Sequence, residues 1–186
     1  MCFNSIKMPQ MKQFFLSLLE IFEILFIALV SIYVTYTFIA QPFRVEGSSM
    51  EPNFSSGDYL IVDELSYQFR NPGRGEVIVL RNPTNDSEFF IKRIVGLPGE
   101  EVVIRGKQIF INDELIEEDY LPESLSLKED YIFSLDSDQY FVMGDNRLQS
   151  YDSRSWGPLS RDGIVGVVRV RFWPVVELEN YNLQAS

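Results

Sequence analysis

The sequence predicts a mostly β chain: an antiparallel, barrel-like β-domain carried behind one N-terminal transmembrane helix. Three observations carry that reading. Seventeen consecutive residues, Ile24 to Ala40, contain no charge. After Pro42 short apolar runs alternate with turn signals, roughly every 8–15 residues, as in small antiparallel β-domains. No stretch beyond the apolar segment shows convincing helical periodicity.

The apolar segment comes first. Phe14 to Leu19 extends it backwards past Glu20 and Glu23, and Tyr33 and Tyr36 stand toward its outer end. A helix needs about 20 residues to cross the hydrocarbon core, so the uncharged run uses its flanks. A cleaved signal peptide is the rival reading. The run is long for that, and Phe38 stands where an Ala-x-Ala cleavage site needs a small residue. Lys7 and Lys12 favour an N-terminus on the cytoplasmic side, although Arg44 lies just across. The expected organisation is a cytoplasmic segment over 1–13, a transmembrane anchor over 14–40 and an extracytoplasmic β catalytic domain over 41–186. Residues 101–140 form a small insertion in that domain.

The expected strands follow in order: Tyr59–Val62, Val77–Leu80, Phe89–Val95, a hairpin of Val102–Ile104 and Gln108–Ile111, Tyr140–Met143, and Ile164–Trp173. Gly96, Pro98-Gly99, Arg105-Gly106-Lys107 and Asn112-Asp113 supply turns between them. Leu121 to Asp138, rich in Ser, Glu and Asp, reads as a solvated loop or small insertion.

Composition limits the chemistry. The 186 residues carry a net charge of −11 and no basic stretch, which argues against nucleic acid as a partner. The one cysteine, Cys2, has no partner for a disulfide within the chain. There is no histidine. A serine nucleophile must then do without imidazole, and a metal site loses its commonest neutral ligand, so lysine becomes the candidate proton carrier. No metal or cofactor is expected.

Three segments stand out. Gly47-Ser48-Ser49-Met50-Glu51-Pro52 is either a plain Ser/Gly/Pro turn or the setting of a nucleophile. In the second, around Lys92-Arg93, strand alternation puts Phe90, Lys92 and Ile94 on one face. A lysine so flanked either snorkels to water or is buried, and burial lowers its pKa toward what a general base requires. The third, Met143 to Arg154, is a polar loop with a local salt bridge or a scaffold that holds the other two.

Taken together and in this order, the segments resemble the bacterial type I signal peptidase (leader peptidase) family. They correspond to its Ser-Met-x-Pro, Lys-Arg-x-Val-Gly-Leu-Pro-Gly and Gly-Asp-Asn-Arg…Ser-x-Asp-Ser-Arg boxes. The resemblance runs from Phe43 to Pro174 and is nearest the short Gram-positive form. It implies a membrane-bound serine endopeptidase with Ser49 as nucleophile and Lys92 as general base. It further implies that Ser150 hydrogen-bonds and orients the Lys92 amine. Asp152 would pair with Arg154, and Asp145 with Arg93. The Ser49 backbone N–H is one expected oxyanion donor. Gly47 occupies the position where Gram-negative members place a serine as second donor, and Ser48 would point away from that role.

Implied substrates are exported preproteins carrying signal peptides, cut after small residues at −1 and −3. Val45, Met50, Phe54 and Ile91, beside the catalytic residues, are the candidate pocket linings. The lipid bilayer is the other partner, in a plasma membrane or a thylakoid membrane. Two other readings fit the same residues: a related Ser/Lys processing peptidase with one dedicated substrate, and a non-catalytic membrane-tethered β-domain.

Overall fold

The structure, a computed structural model, describes residues 10–38, 41–121 and 130–173. The chain divides into two compact units, Met1–Ile39 and Ala40–Ser186. The described residues of the first form one helix, α1 (Gln10–Phe38), of 29 residues, about 43 Å long at 1.5 Å per residue. Within it Met11–Tyr33 is long and apolar enough to cross a membrane, with a mean hydropathy of 2.4. That window begins earlier than the uncharged run and includes Glu20 and Glu23.

The second unit is built on antiparallel strands. A seven-stranded sheet has the order β1-β2-β11-β3-β4-β9-β10, formed by β1 (Gln41–Arg44), β2 (Tyr59–Asp63), β3 (Val77–Asn82), β4 (Asn85–Gly96), β9 (Gln139–Met143), β10 (Leu159–Ser160) and β11 (Ile164–Trp173). A four-stranded sheet, ordered β7-β6-β5-β8, comprises β5 (Glu101–Arg105), β6 (Gln108–Ile111), β7 (Glu114–Ile116) and β8 (Tyr131–Ser134). The expected barrel is therefore two open sheets, with no closed barrel among the described residues. β10, only two residues long, offers too short a ladder to close against β1.

Strand β3 is buried on both faces, which is why Val77-Ile78-Val79-Leu80 reads as a continuous apolar run. Val77 and Val79 pack with Leu60, Val62, Ile91 and Val168 on one side. Ile78 and Leu80 pack with Ile94, Val142, Ile164 and Val167 on the other. A third cluster joins the small sheet to the large one. Val102, Ile104, Ile109 and Ile111 meet Val95, Phe141 and Met143 there. Gly96 permits that junction, because a Cβ on it would sit 2.5 Å from Val102 and 2.9 Å from both Leu135 and Phe141.

The expected strands all form, and β4 runs longer than expected. Strands β1, β7, β8 and β10 were not anticipated. β8 corrects the solvated-loop reading of Leu121–Asp138: Tyr131 and Phe133 turn inward onto the third cluster, with the Phe133 and Phe141 rings 4.7 Å apart. Two inward aromatics outweigh the acidic character of their neighbours. Residues 122–129 of that stretch lie outside the described residues. One short helix, α2 (Ser153–Trp156), follows β9 and is capped by the Asp152 side chain.

Candidate active site

Ser49 sits in the turn-rich segment between β1 and β2, and Lys92 in the middle of β4. Gly47 opens the turn at φ 89, and a Cβ there would meet nothing within 4 Å. The left-handed backbone, not crowding, is what asks for glycine. Beyond Ser49 the chain turns back through Glu51 N–H to Ser48 O (3.2 Å) and Phe54 N–H to Met50 O (2.9 Å). These bonds drop Met50 and Phe54 into the core, each 1% exposed, while Ser49 stays half-buried at the surface of the site.

Lys92 is 3% exposed. Its Nζ donates to Ser49 Oγ at 2.8 Å and to Ile91 O at 3.0 Å, and it lies 5.3 Å from the centre of the Phe90 ring. Burial pulls its pKa from 10.5 down to about 8, against the Asp152 and Asp145 carboxylates, which favour the charged form. At pH 7 about a tenth of the amine is then free base, against far less than a hundredth for an ordinary lysine. In the free base the same 2.8 Å contact reverses its sense, and the Ser49 hydroxyl donates to nitrogen.

The third segment surrounds this pair. Arg154 grips Asp152 with two hydrogen bonds of 2.8 Å, and Gly144 N–H adds one of 3.0 Å. Burial alone would raise the Asp152 pKa, but the Arg154 bonds and charge hold it below the usual carboxylate value. Asp145 receives Arg93 through bonds of 2.9 and 2.7 Å, with both side chains sealed from solvent. The expected Asp152–Arg154 and Asp145–Arg93 pairs are thus both present.

Ser150 is placed differently from expectation. Its Oγ is buried without a hydrogen-bond partner, so the expected bond to Lys92 is not formed. The hydroxyl lies against Gly144, where an added Cβ would be 2.2 Å from Ser150 Oγ and 2.3 Å from Ser49 O.

A groove of about 270 Å3 opens beside Ser49 and Lys92. Val45 and Ile91 line it with Leu60, Val79 and Phe90, and Arg44 and Glu46 add charge to the lining. Phe43 and Phe89 meet edge to face at its rim, 5.7 Å apart. Met50 and Phe54 do not line it. They belong to the apolar cluster that also contains Val45 and Ile91, and so support the wall from behind.

Sequence reasoning passed over Asn146. Its backbone N–H donates to Ser49 O at 3.0 Å, and its side-chain amide donates to Ser48 O at 3.1 Å. Its place inside the Gly-Asp-Asn-Arg run was the available signal. Glu118, Tyr120 and Asn53 also reach this region, and nothing in the sequence pointed to them. Among the described residues no group of three or more His, Cys, Asp or Glu side chains could hold a metal ion.

The same arrangement can be set beside known proteins. The family model for signal peptidases, peptidase S26, matches residues 18–173. A "Probable signal peptidase I-2" from Synechocystis is 41% identical over 145 residues, covering 75% of this chain and 66% of that protein. "Signal peptidase I U" of Bacillus subtilis is 37% identical over 147 residues, with 74% and 78% covered. "Thylakoidal processing peptidase 1, chloroplastic" of Arabidopsis thaliana is 34% identical over 146 residues, with 73% and 43% covered. The chain thus spans just under two thirds of the Synechocystis protein and less than half of the Arabidopsis one. With the match extending from α1 to the last residue of β11, this chain belongs to the signal peptidase family, peptidase S26.

Proposed function

We propose that this chain is a membrane-anchored serine endopeptidase that removes signal peptides from exported preproteins with a Ser49–Lys92 dyad. The observation that carries the reading is the 2.8 Å hydrogen bond between the Ser49 hydroxyl and an amine that burial brings to about pKa 8. Free-base Lys92 takes the Ser49 proton as Oγ attacks the scissile carbonyl, and the ammonium returns that proton to the leaving amine. The acyl-enzyme is then hydrolysed by a water that Lys92 deprotonates. The Ser49 backbone N–H serves the oxyanion. Gly47 brings no side-chain donor, so any second donor comes from elsewhere.

Val45, Leu60, Val79 and Ile91 form the apolar part of the groove, and they support a preference for small uncharged residues at −1 and −3. α1 would hold the site at the bilayer where such cleavage sites emerge, so that enzyme and substrate meet on one surface. The proposed topology places the N-terminus inside and the catalytic unit outside, in a plasma or thylakoid membrane.

The test is cleavage of several preproteins bearing Ala-x-Ala sites, in detergent, by wild type, Ser49→Ala and Lys92→Ala. Only wild type should cut, and at that site. Normal cleavage by Ser49→Ala would remove the nucleophile. Failure of wild type on every unrelated preprotein would favour a peptidase with one dedicated substrate.

A further inference from the structure

The nucleophile is held from outside its own segment. Asn146 ties the carbonyls of Ser48 and Ser49, but Asn146 is itself only half-buried and lies in a loop without regular structure. The two residues beside it are better anchored. Asp145 is fixed by Arg93, and Arg147, 5% exposed, is fixed by Glu118 through bonds of 2.7 and 2.6 Å. Arg147 Nε also donates to Gly144 O at 3.1 Å.

Glu118 does not belong to the active-site loops. It follows β7, the edge strand of the small sheet, in the short segment Glu117-Glu118-Asp119-Tyr120. That segment touches the site at several points. The Tyr120 ring lies under the Arg93 guanidinium at 3.9 Å, and its hydroxyl donates to Glu118. The Tyr120 carbonyl accepts from Asn53 Nδ2 at 3.0 Å, and the same amide donates to Asp145 Oδ2 at 2.7 Å. A strap from the second sheet thus engages both neighbours of Asn146.

The geometry points to Glu118 as a positioning residue for the nucleophile, acting through Arg147 and Asn146 to fix the Ser49 backbone. The inference rests on the Ser49–Lys92 reading, and it assigns the small sheet a part in catalysis. Removing only the Glu118 charge leaves a buried guanidinium without its counter-ion. Replacing the pair together with apolar residues avoids that and separates positioning from stability.

The experiment compares full-length wild type, Glu118→Gln and the double variant Glu118→Leu/Arg147→Met. The primary readout is the rate at which a small activated ester acylates Ser49, followed by intact mass across pH 6 to 10 (on the order of two units either side of the Lys92 midpoint). Both variants should acylate about tenfold or more slowly while the pH midpoint stays at that of wild type. A general loosening of the site would hydrate Lys92 and push the midpoint upward, and that result overturns the proposal. So does acylation within twofold of wild type in either folded variant. A wild type that acylates at Ser49 but cleaves no preprotein would sink the proposed substrate and leave this inference standing. A wild type that does not acylate at Ser49 would overturn both.

Discussion

At the scale of single residues the protein turns on the surroundings of one amine. Lys92 has the strand position of a core residue and the company of one, with Phe90, Ile94 and a sealed Arg93–Asp145 pair around it. If Lys92 is the base proposed above, its lowered pKa should make kcat/KM rise about tenfold per pH unit below 8 and level off above, measurable with a preprotein or peptide ester. The sign for stability follows from the same shift. Between about 8 and 10.5 the unfolded chain binds a proton that the folded chain has released, so stability rises with pH across that window. Below 8 both states are protonated and the burial penalty, on the order of 3 kcal/mol, stands in full. Lys92→Met is therefore expected to abolish cleavage and to raise the melting temperature at pH 7. Lys92→Arg should be inactive as well, since a guanidinium cannot become the base. A lower melting temperature for the Met variant would mean that the amine is not a cost to the fold.

Elements explain how residues distant in sequence meet. The turn after β1 carries Ser49, β4 carries Lys92, and the loop from β9 to α2 closes over both. Gly144 lies at the closest approach, with the Ser49 carbonyl and the Ser150 side chain both where a Cβ would go. Gly144→Ala should displace that loop and reduce kcat about a hundredfold or more, a loss of roughly 3 kcal/mol. Circular dichroism should show the β-content retained. Full activity in this variant would mean that the loop's approach is not needed.

This scale also shows what could be read in advance. Alternation within β4 put Phe90, Lys92 and Ile94 on one face because a strand has a fixed period. The two ion pairs came from the resemblance to the three boxes, the polar run by itself pointing only to a local salt bridge. No period governs the irregular loops, so the Ser150 hydroxyl, the inward plunge of Met50 and Phe54, and the reach of Glu118 depend on packing between segments far apart in sequence. β8 was masked in a similar way, its two inward aromatics diluted by acidic neighbours.

The whole molecule comprises two units, to which the proposed function gives separate tasks. The unit Ala40–Ser186 has three apolar clusters, each made of its own residues. A variant lacking 1–39 should cleave a short soluble peptide with kcat within about threefold of wild type, because effective concentration at a surface is an advantage only when both reactants share it. Against a preprotein held in lipid vesicles the same variant should lose most of its rate. Equal loss on both substrates would show that the helix is needed for the fold of the site.

Three successive residues of β4 have different duties. Ile91 walls the groove, Lys92 is bonded to Ser49, and Arg93 is locked to Asp145. Inserting or deleting one residue within this strand would shift every later side chain to the opposite face. Lys92 would then occupy the place of the wall. Length changes in the gene should accumulate at Pro83-Thr84 between β3 and β4, or in the hairpins of the small sheet. Inside β4 the lineage is left with substitution alone.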